Sequence, residues 1–152
     1  MLVIALAIFL ECKSSVLFNQ NRVGENKVNF KIHKFKTMEN HKITRVGRII
    51  RNLGLDELPQ LVNIIKGEMA FVGPRPLTQF DIDRLKWNST EFNKRWNVKP
   101  GITGKAQLSK ICSAEHSIQQ DLWYVEHKSI LVDLAIMANS LLVPFIGKRK
   151  NS

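Results

Sequence analysis

Two adjacent carboxylates at the head of an apolar helical repeat constrain this chain more than any other feature. The stretch is Gly54-Leu55-Asp56-Glu57-Leu58-Pro59-Gln60-Leu61-Val62-Asn63-Ile64-Ile65-Lys66-Gly67. It places Leu58, Leu61, Val62 and Ile65 at the i, i+3, i+4, i+7 spacing of one helix face. Gly67 stands where a helix C-terminus wants a residue free to take positive φ. Asp56 has the chemistry of an N-cap, and Pro59 is tolerated in the first turn, whose N–H groups have no intrahelical partner. The pair thus lies at the positive end of a helix dipole, where ionised carboxylates are favoured. Two readings stay open: a nucleophile beside a metal ligand, or simply a cap, the commoner use of Asp at such a position.

Arg51 precedes the pair, and Gly73-Pro74-Arg75-Pro76 follows it. Proline fixes its own φ and keeps the residue before it out of the helical region, so the backbone around Arg75 is pinned. A rigidly placed guanidinium suits bidentate phosphate recognition; the plainer alternative is a Pro-rich turn with an exposed arginine. Pro100-Gly101-Ile102-Thr103-Gly104 is a tight loop by composition, and its glycines would let backbone N–H groups approach a ligand. A bare Pro-Gly turn is usually only a turn.

The remaining elements define a helix-rich, single-domain α+β fold. Residues 16–23 read as a strand, 24–27 as a turn, and 28–35 alternate apolar and polar with period two, a small N-terminal β-hairpin. Phe30, Ile32 and Val28 share one face, Lys34 projects with them, and Lys31, His33 and Phe35 lie in a mixed environment. Lysines such as Lys34 and Lys36 usually serve as a solvated strand edge. Residues 42–53 are helical, with Val46, Ile49, Ile50 and Leu53 in phase and Arg45 and Arg48 on a solvated basic face. Residues 78–96 hold one or two short helices, in which Trp87, Phe92 and Trp96 are core, interface or membrane-surface residues. Ser129 caps a last helix over 130–143. The apolar run 130–146 is interrupted by Asp133, Asn139, Ser140 and Pro144, which favours a buried or interfacial helix over a span. Met1 to Leu10 are ten apolar residues, about 15 Å of helix and half of a hydrocarbon core.

Charge narrows the partners. Lys and Arg number 23 against 13 Asp and Glu, for a net +10 over 152 residues, more than solubility needs. The partner is anionic: nucleic acid, lipid surface or phosphorylated substrate. No zinc-finger or RNP-type pattern supports nucleic acid. Cys12 and Cys112 have neither metal-ligand nor disulfide-framework spacing, and His33, His41, His116 and His127 form no HExxH-type pair.

In order and spacing, four motifs resemble the bacterial sugar transferases, the monotopic polyprenyl-phosphate phosphoglycosyl transferases. They are Lys34-Phe35-Lys36-Thr37-Met38, Leu55-Asp56-Glu57-Leu58-Pro59-Gln60, Lys66-Gly67-Glu68-Met69-Ala70-Phe71-Val72-Gly73-Pro74-Arg75-Pro76 and Pro100-Gly101-Ile102-Thr103-Gly104. Several long motifs in order are a specific signal, and the resemblance runs from about Phe18 to about Val143. It implies transfer of a phosphosugar from a UDP-sugar to polyprenyl (undecaprenyl) phosphate through a covalent aspartyl intermediate, at the start of bacterial surface glycan synthesis. It implies Asp56 as nucleophile, Glu57 as Mg²⁺ ligand, and Lys34, Arg51 and Arg75 as phosphate-binding cations. It further implies a site on the cytoplasmic face of the inner membrane, against anionic lipid; the interfacial reading of the last helix has Lys148-Arg149-Lys150 touching lipid phosphates. Residues 1–14 are then expected to be the remnant of a membrane-embedded helix, 15–147 the catalytic domain and 148–152 a basic tail. The chain departs from the family pattern at Lys105, where Trp is usual, at Ser109-Lys110, where Gly-Arg is usual, and in the lead-in Asn40-His41-Lys42-Ile43-Thr44. The competing expectations are an inactive or truncated relative and a small basic nucleic-acid-binding protein.

Overall fold

The computed structural model describes residues 1–109, 111 and 113–146; Lys110, Cys112 and the basic tail lie outside them. Helix α1 (Leu2–Cys12) leads into an antiparallel hairpin, β1 (Leu17–Val23) and β2 (Asn29–Phe35). Its register runs from Leu17 opposite Phe35 to Val23 opposite Asn29. A two-residue pair, β3 (Met38–Glu39) with β4 (Lys42–Ile43), feeds helix α2 (Arg45–Asn52). The Thr44 hydroxyl caps α2 from within by accepting from Gly47 N–H. Glu11, at the end of α1, supplies a second cap, accepting from Arg45 N–H at 2.7 Å and Val46 N–H at 2.9 Å. A carboxylate there meets both the orphan amides and the positive end of the helix dipole.

After α2 the chain makes a 3-10 turn (Leu55–Gln60) and a short helix α3 (Leu61–Ile65). Here the structure corrects two expectations. Gly54, at φ 70°, takes the N-cap position, and Asp56 sits inside the first turn. The apolar face also differs: Leu58 packs with the α1/α2 cluster, but Val62 and Ile65 are exposed. The buried face is polar instead, because Gln60 and Asn63 point inward. Asn63 donates to Lys31 C=O and accepts from His33 N–H, standing in for a third strand along the free edge of β2. Satisfying that edge outweighs burying two aliphatic side chains. Gly67 does take the positive φ expected of it, 78°.

Strand β5 (Ala70–Val72) pairs in parallel with β6 (Gly101–Thr103). Between them come α4 (Gln79–Arg84), with a Thr78/Asp81 capping box, and a 3-10 segment (Thr90–Asn97). Gly101 is required by close approach, since a Cβ there would collide with the backbone N of Gly73. The short helix α5 (Lys105–Leu108) precedes α6 (Ala114–His127) and α7 (Ile130–Ile146). Ser129 Oγ accepts from Val132 N–H at the head of α7.

The core is divided. Trp87 and Trp96 pack with Val23, Ile82 and Ile118, so both are core residues. Phe30 and Ile32 pack on Met69, while Phe35 turns to the other face of β2 to join Ile8, Cys12 and Ile50. Val28, expected beside Phe30, lies before β2 and is exposed, because the turn rather than the strand sets its direction. Val72, Tyr124 and Ile136 form the fourth cluster, with Tyr124 Oη donating to Asp133 Oδ1 at 2.8 Å and lying 3.1 Å from Val72 C=O. Among the described residues, no helix is long and apolar enough to cross a membrane.

Candidate active site

The alternation of β2 sends Lys34 to the same side as Phe30 and Ile32, toward the 3-10 turn. Because Asn63 clamps β2 against that turn, Lys34 Nζ lands 2.7 Å from Glu57 Oε1. Both side chains keep partial access to solvent, 19% and 31%. Asp56, one residue earlier, opens onto the same space as Arg51 and Arg48 at the end of α2.

Arg75 reaches this space from a bend whose backbone is held at every step. Pro74 C=O accepts from Gly101 N–H at 3.0 Å, and Leu77 C=O accepts from Val23 N–H at 2.9 Å. Arg75 C=O accepts from Arg95 Nη2 at 2.7 Å, and Pro76 C=O from Arg22 Nη1 at 3.1 Å. Four consecutive carbonyls are thus satisfied by four donors from three other parts of the chain. The Gly101 N–H, read from sequence as available to a ligand, is spent on Pro74.

These elements enclose an open cleft of about 630 Å³. It is lined by Lys34, Arg51, Asp56, Glu57 and Arg75, so the structure brings together all five residues singled out from sequence. Gln107 and Thr103 form part of the opposite wall. Behind the cleft lies a recess of about 10 Å³, the room of one water, which shares Lys34, Glu57, Arg75, Ile102 and Gln107 with it and adds Arg22. Two polar atoms on its lining residues, Arg22 Nε and Gln107 Oε1, are buried without a hydrogen-bond partner among the described residues. Burial, and the neighbouring Arg75, pull the Arg22 guanidinium below its ordinary value, against the opposing pull of Asp81. Crowded cations of this kind are relieved by an anion.

Four residues at or behind the cleft were not singled out as site residues in the sequence. Arg48 is exposed, as its solvated face predicts, and that face also lines the cleft beside Arg51. Arg22 lies in a polar strand whose neighbours give no hint that it turns inward. Gln107 sits in a four-residue helix too short to show a period. Arg95 is buried at 3% exposure, with its Nε 2.9 Å from Asp121 Oδ2. Its guanidinium also lies 5.4 Å from the Trp87 ring centre and 4.7 Å from that of Trp96. A charge between two tryptophans was the only available signal for it. Burial pulls Arg95 down and pushes Asp121 up from their ordinary values, and each charge opposes the shift of the other.

The donor chemistry fits a hard divalent ion with few protein ligands. Asp56 and Glu57 stand in one turn and both line the cleft. Mg²⁺ suits such a site, because it takes one or two carboxylates and completes its shell with water and substrate phosphate. Lys34 engages one Glu57 oxygen, and a carboxylate has about four lone-pair sites.

Fold and cleft together define a class: a helix-rich α+β domain presenting a carboxylate pair among clustered cations. Residues 1–147 match the family model described as bacterial sugar transferase, and the chain belongs to that family. It is 39% identical to the uncharacterized sugar transferase EpsL of Bacillus subtilis, over 84% of this chain and 69% of the relative. It is 35% identical to the UDP-N-acetylgalactosamine-undecaprenyl-phosphate N-acetylgalactosaminephosphotransferase of Aeromonas hydrophila, over 97% of this chain and 39% of the relative. A third relative, the UDP-glucose:undecaprenyl-phosphate glucose-1-phosphate transferase of Caulobacter vibrioides, is 33% identical over 93% of this chain and 61% of its own length. The chain thus spans less than two thirds of the last two.

Proposed function

We propose that this chain transfers a phosphosugar from a UDP-sugar to polyprenyl phosphate, with Asp56 as nucleophile. The observation that carries the reading is the shared cleft: Asp56 and Glu57 open onto the same space as Lys34, Arg48, Arg51 and Arg75. A carboxylate oxygen of Asp56 attacks the phosphorus that bears the sugar. The bond from that phosphorus to the bridging oxygen breaks, and UMP leaves with the electron pair. An oxygen of polyprenyl phosphate then attacks the same phosphorus, releasing the Asp56 carboxylate and forming the polyprenyl diphosphosugar. Splitting one displacement into two through an enzyme nucleophile is the ordinary logic of covalent catalysis.

Lys34 and Arg75 supply fixed positive charge where negative charge develops, in a site built before substrate arrives. Glu57 would hold Mg²⁺, which when bound neutralises diphosphate charge. The relatives named for UDP-sugar and undecaprenyl-phosphate chemistry support this substrate pair. A lipid acceptor also accounts for apolar side chains left uncovered: Leu2, Val3, Leu6 and Leu10 on α1, and Ile130, Leu131, Leu134 and Leu141 on α7. Such exposed apolar surface marks an interaction site. With a net charge of +10, the surface it fits is an anionic leaflet, here the cytoplasmic face of a bacterial inner membrane.

The test is intact mass after incubation with Mg²⁺ and a panel of UDP-sugars, in nanodiscs and without acceptor. The expected result is a phosphosugar-sized gain on the wild type and none on Asp56→Asn. No gain with any sugar, or an equal gain on the variant, overturns the assignment.

A further inference from the structure

We infer that Arg95 is a positioning residue, holding the Arg75 backbone so that its guanidinium meets the substrate phosphates; this rests on the cleft being the UDP-sugar site. Arg95 does not line the cleft. It acts from behind, through the 2.7 Å hydrogen bond from its Nη2 to Arg75 C=O. Flanked by Pro74 and Pro76, which have no N–H, the bend can be held mainly through its carbonyls. Arg22 takes the next carbonyl along the chain. Arg95 itself is fixed by Asp121 at 2.9 Å and by the Trp87 and Trp96 rings on which it lies.

A planar guanidinium can reach a carboxylate and a carbonyl in different directions at once; a lysine ammonium on the same stem cannot match that geometry. If Arg95 only filled the core, an apolar pair would do as well, since replacing a buried ion pair by packed hydrophobic residues is often neutral or better. The arrangement instead spends a desolvated cation on one backbone oxygen, that of the residue whose side chain faces the phosphates.

This separates positioning from packing. The variants are Arg95→Met with Asp121→Leu, Arg95→Lys, Arg75→Ala, and the triple combination. Binding of UDP with Mg²⁺ is measured by calorimetry, and amide exchange at Arg75 and Leu77 is followed without ligand. We expect the Met/Leu pair to melt near the wild type. We expect its UDP affinity to fall by about tenfold to a hundredfold, the scale of a misplaced binding group, and Arg75→Ala on top to add little. Exchange at both amides should quicken. Wild-type affinity together with unchanged exchange overturns the inference, as does full additivity with Arg75→Ala. Should the Met/Leu pair fail to fold, Arg95→Lys carries the same two readouts. If the wild type itself binds no UDP, the proposed function fails, and the ligand-free exchange still decides the positioning role.

Discussion

Two cation–carboxylate pairs lie on either side of the Arg75 bend, and their settings are opposite. Lys34–Glu57 closes at 2.7 Å with both side chains partly wet, at 19% and 31% exposure. Arg95–Asp121 closes at 2.9 Å in the core, at 3% and 5%. The first can exchange its partner for an incoming phosphate or metal, because water is at hand to resolvate whichever charge is displaced. The second cannot open without leaving a buried charge unpaired, a far larger cost than the pair's own net worth. The pair that lines the cleft is thus the one cheap to break, and the pair behind the bend the one expensive to break.

The largest expected effect tests that contrast from the buried side. Asp121→Ala should destabilise the fold by about 3–5 kcal/mol, the usual cost of orphaning a buried partner, read as a drop in denaturant midpoint. A loss below about 1 kcal/mol, the range of exposed pairs, would erase the distinction. On the open side, Glu57→Gln should change stability by no more than about 1 kcal/mol. Its rate of phosphosugar adduct formation should fall by about a hundredfold or more, the scale of a lost electrostatic group. A variant that melts early yet reacts normally would mean the wet pair is structural after all.

A third carboxylate sits between these extremes. Asp81 lies 3.8 Å from Arg22, at 27% and 15% exposure. Its carboxyl is held below its ordinary 3.8, first by the Thr78 hydroxyl and then by the Thr78 N–H, with Arg22 and Arg84 adding. A depressed folded value means that the stability Asp81 contributes is complete above 3.8 and is lost as pH falls through the folded value. Acid titration of Asp81→Asn against the wild type should therefore show a stability gap that narrows below that pH; a constant gap would contradict the assignment. The smallest effect concerns cations on aromatic rings. Lys105 Nζ lies 3.3 Å from the ring centre of the exposed Trp123, whereas Arg95 is enclosed by two rings. Lys105→Ala should cost about 0.5–1 kcal/mol, the range for exposed cation–π contacts, measured by chemical denaturation. A cost of 2 kcal/mol or more, the desolvated range, would put Lys105 in the same class as Arg95.

Much of this was legible in the sequence, for identifiable reasons. The hairpin, the helix around Arg48 and the last helix all announce themselves through periodicity and caps. Local pattern singled out Asp56, Glu57 and Arg75, motif resemblance gave Lys34 and Arg51 their phosphate role, and the cleft does gather all five. What stayed hidden was whatever depends on a distant partner. Asn63 reads as a polar interruption of an apolar face until the free edge of β2 is beside it. Arg95, with two tryptophans as its one local signal, takes on a partner only when Asp121, 26 positions later, is seen against it. The cap reading of Asp56, one of the two left open, fails because Gly54, two residues earlier, takes that place.

The four carbonyls of the Arg75 bend have a consequence for how the molecule comes into being. Their donors, on residues 22, 23, 95 and 101, lie on both sides of the bend in the chain. A nascent polypeptide that has emerged only as far as residue 90 already carries Lys34, Arg51, Asp56, Glu57 and Arg75. It has no Arg95 and no Gly101, so two of the four carbonyls still lack their donors. The bend is therefore completed late in synthesis, once residues 95 and 101 have followed the carboxylate pair out.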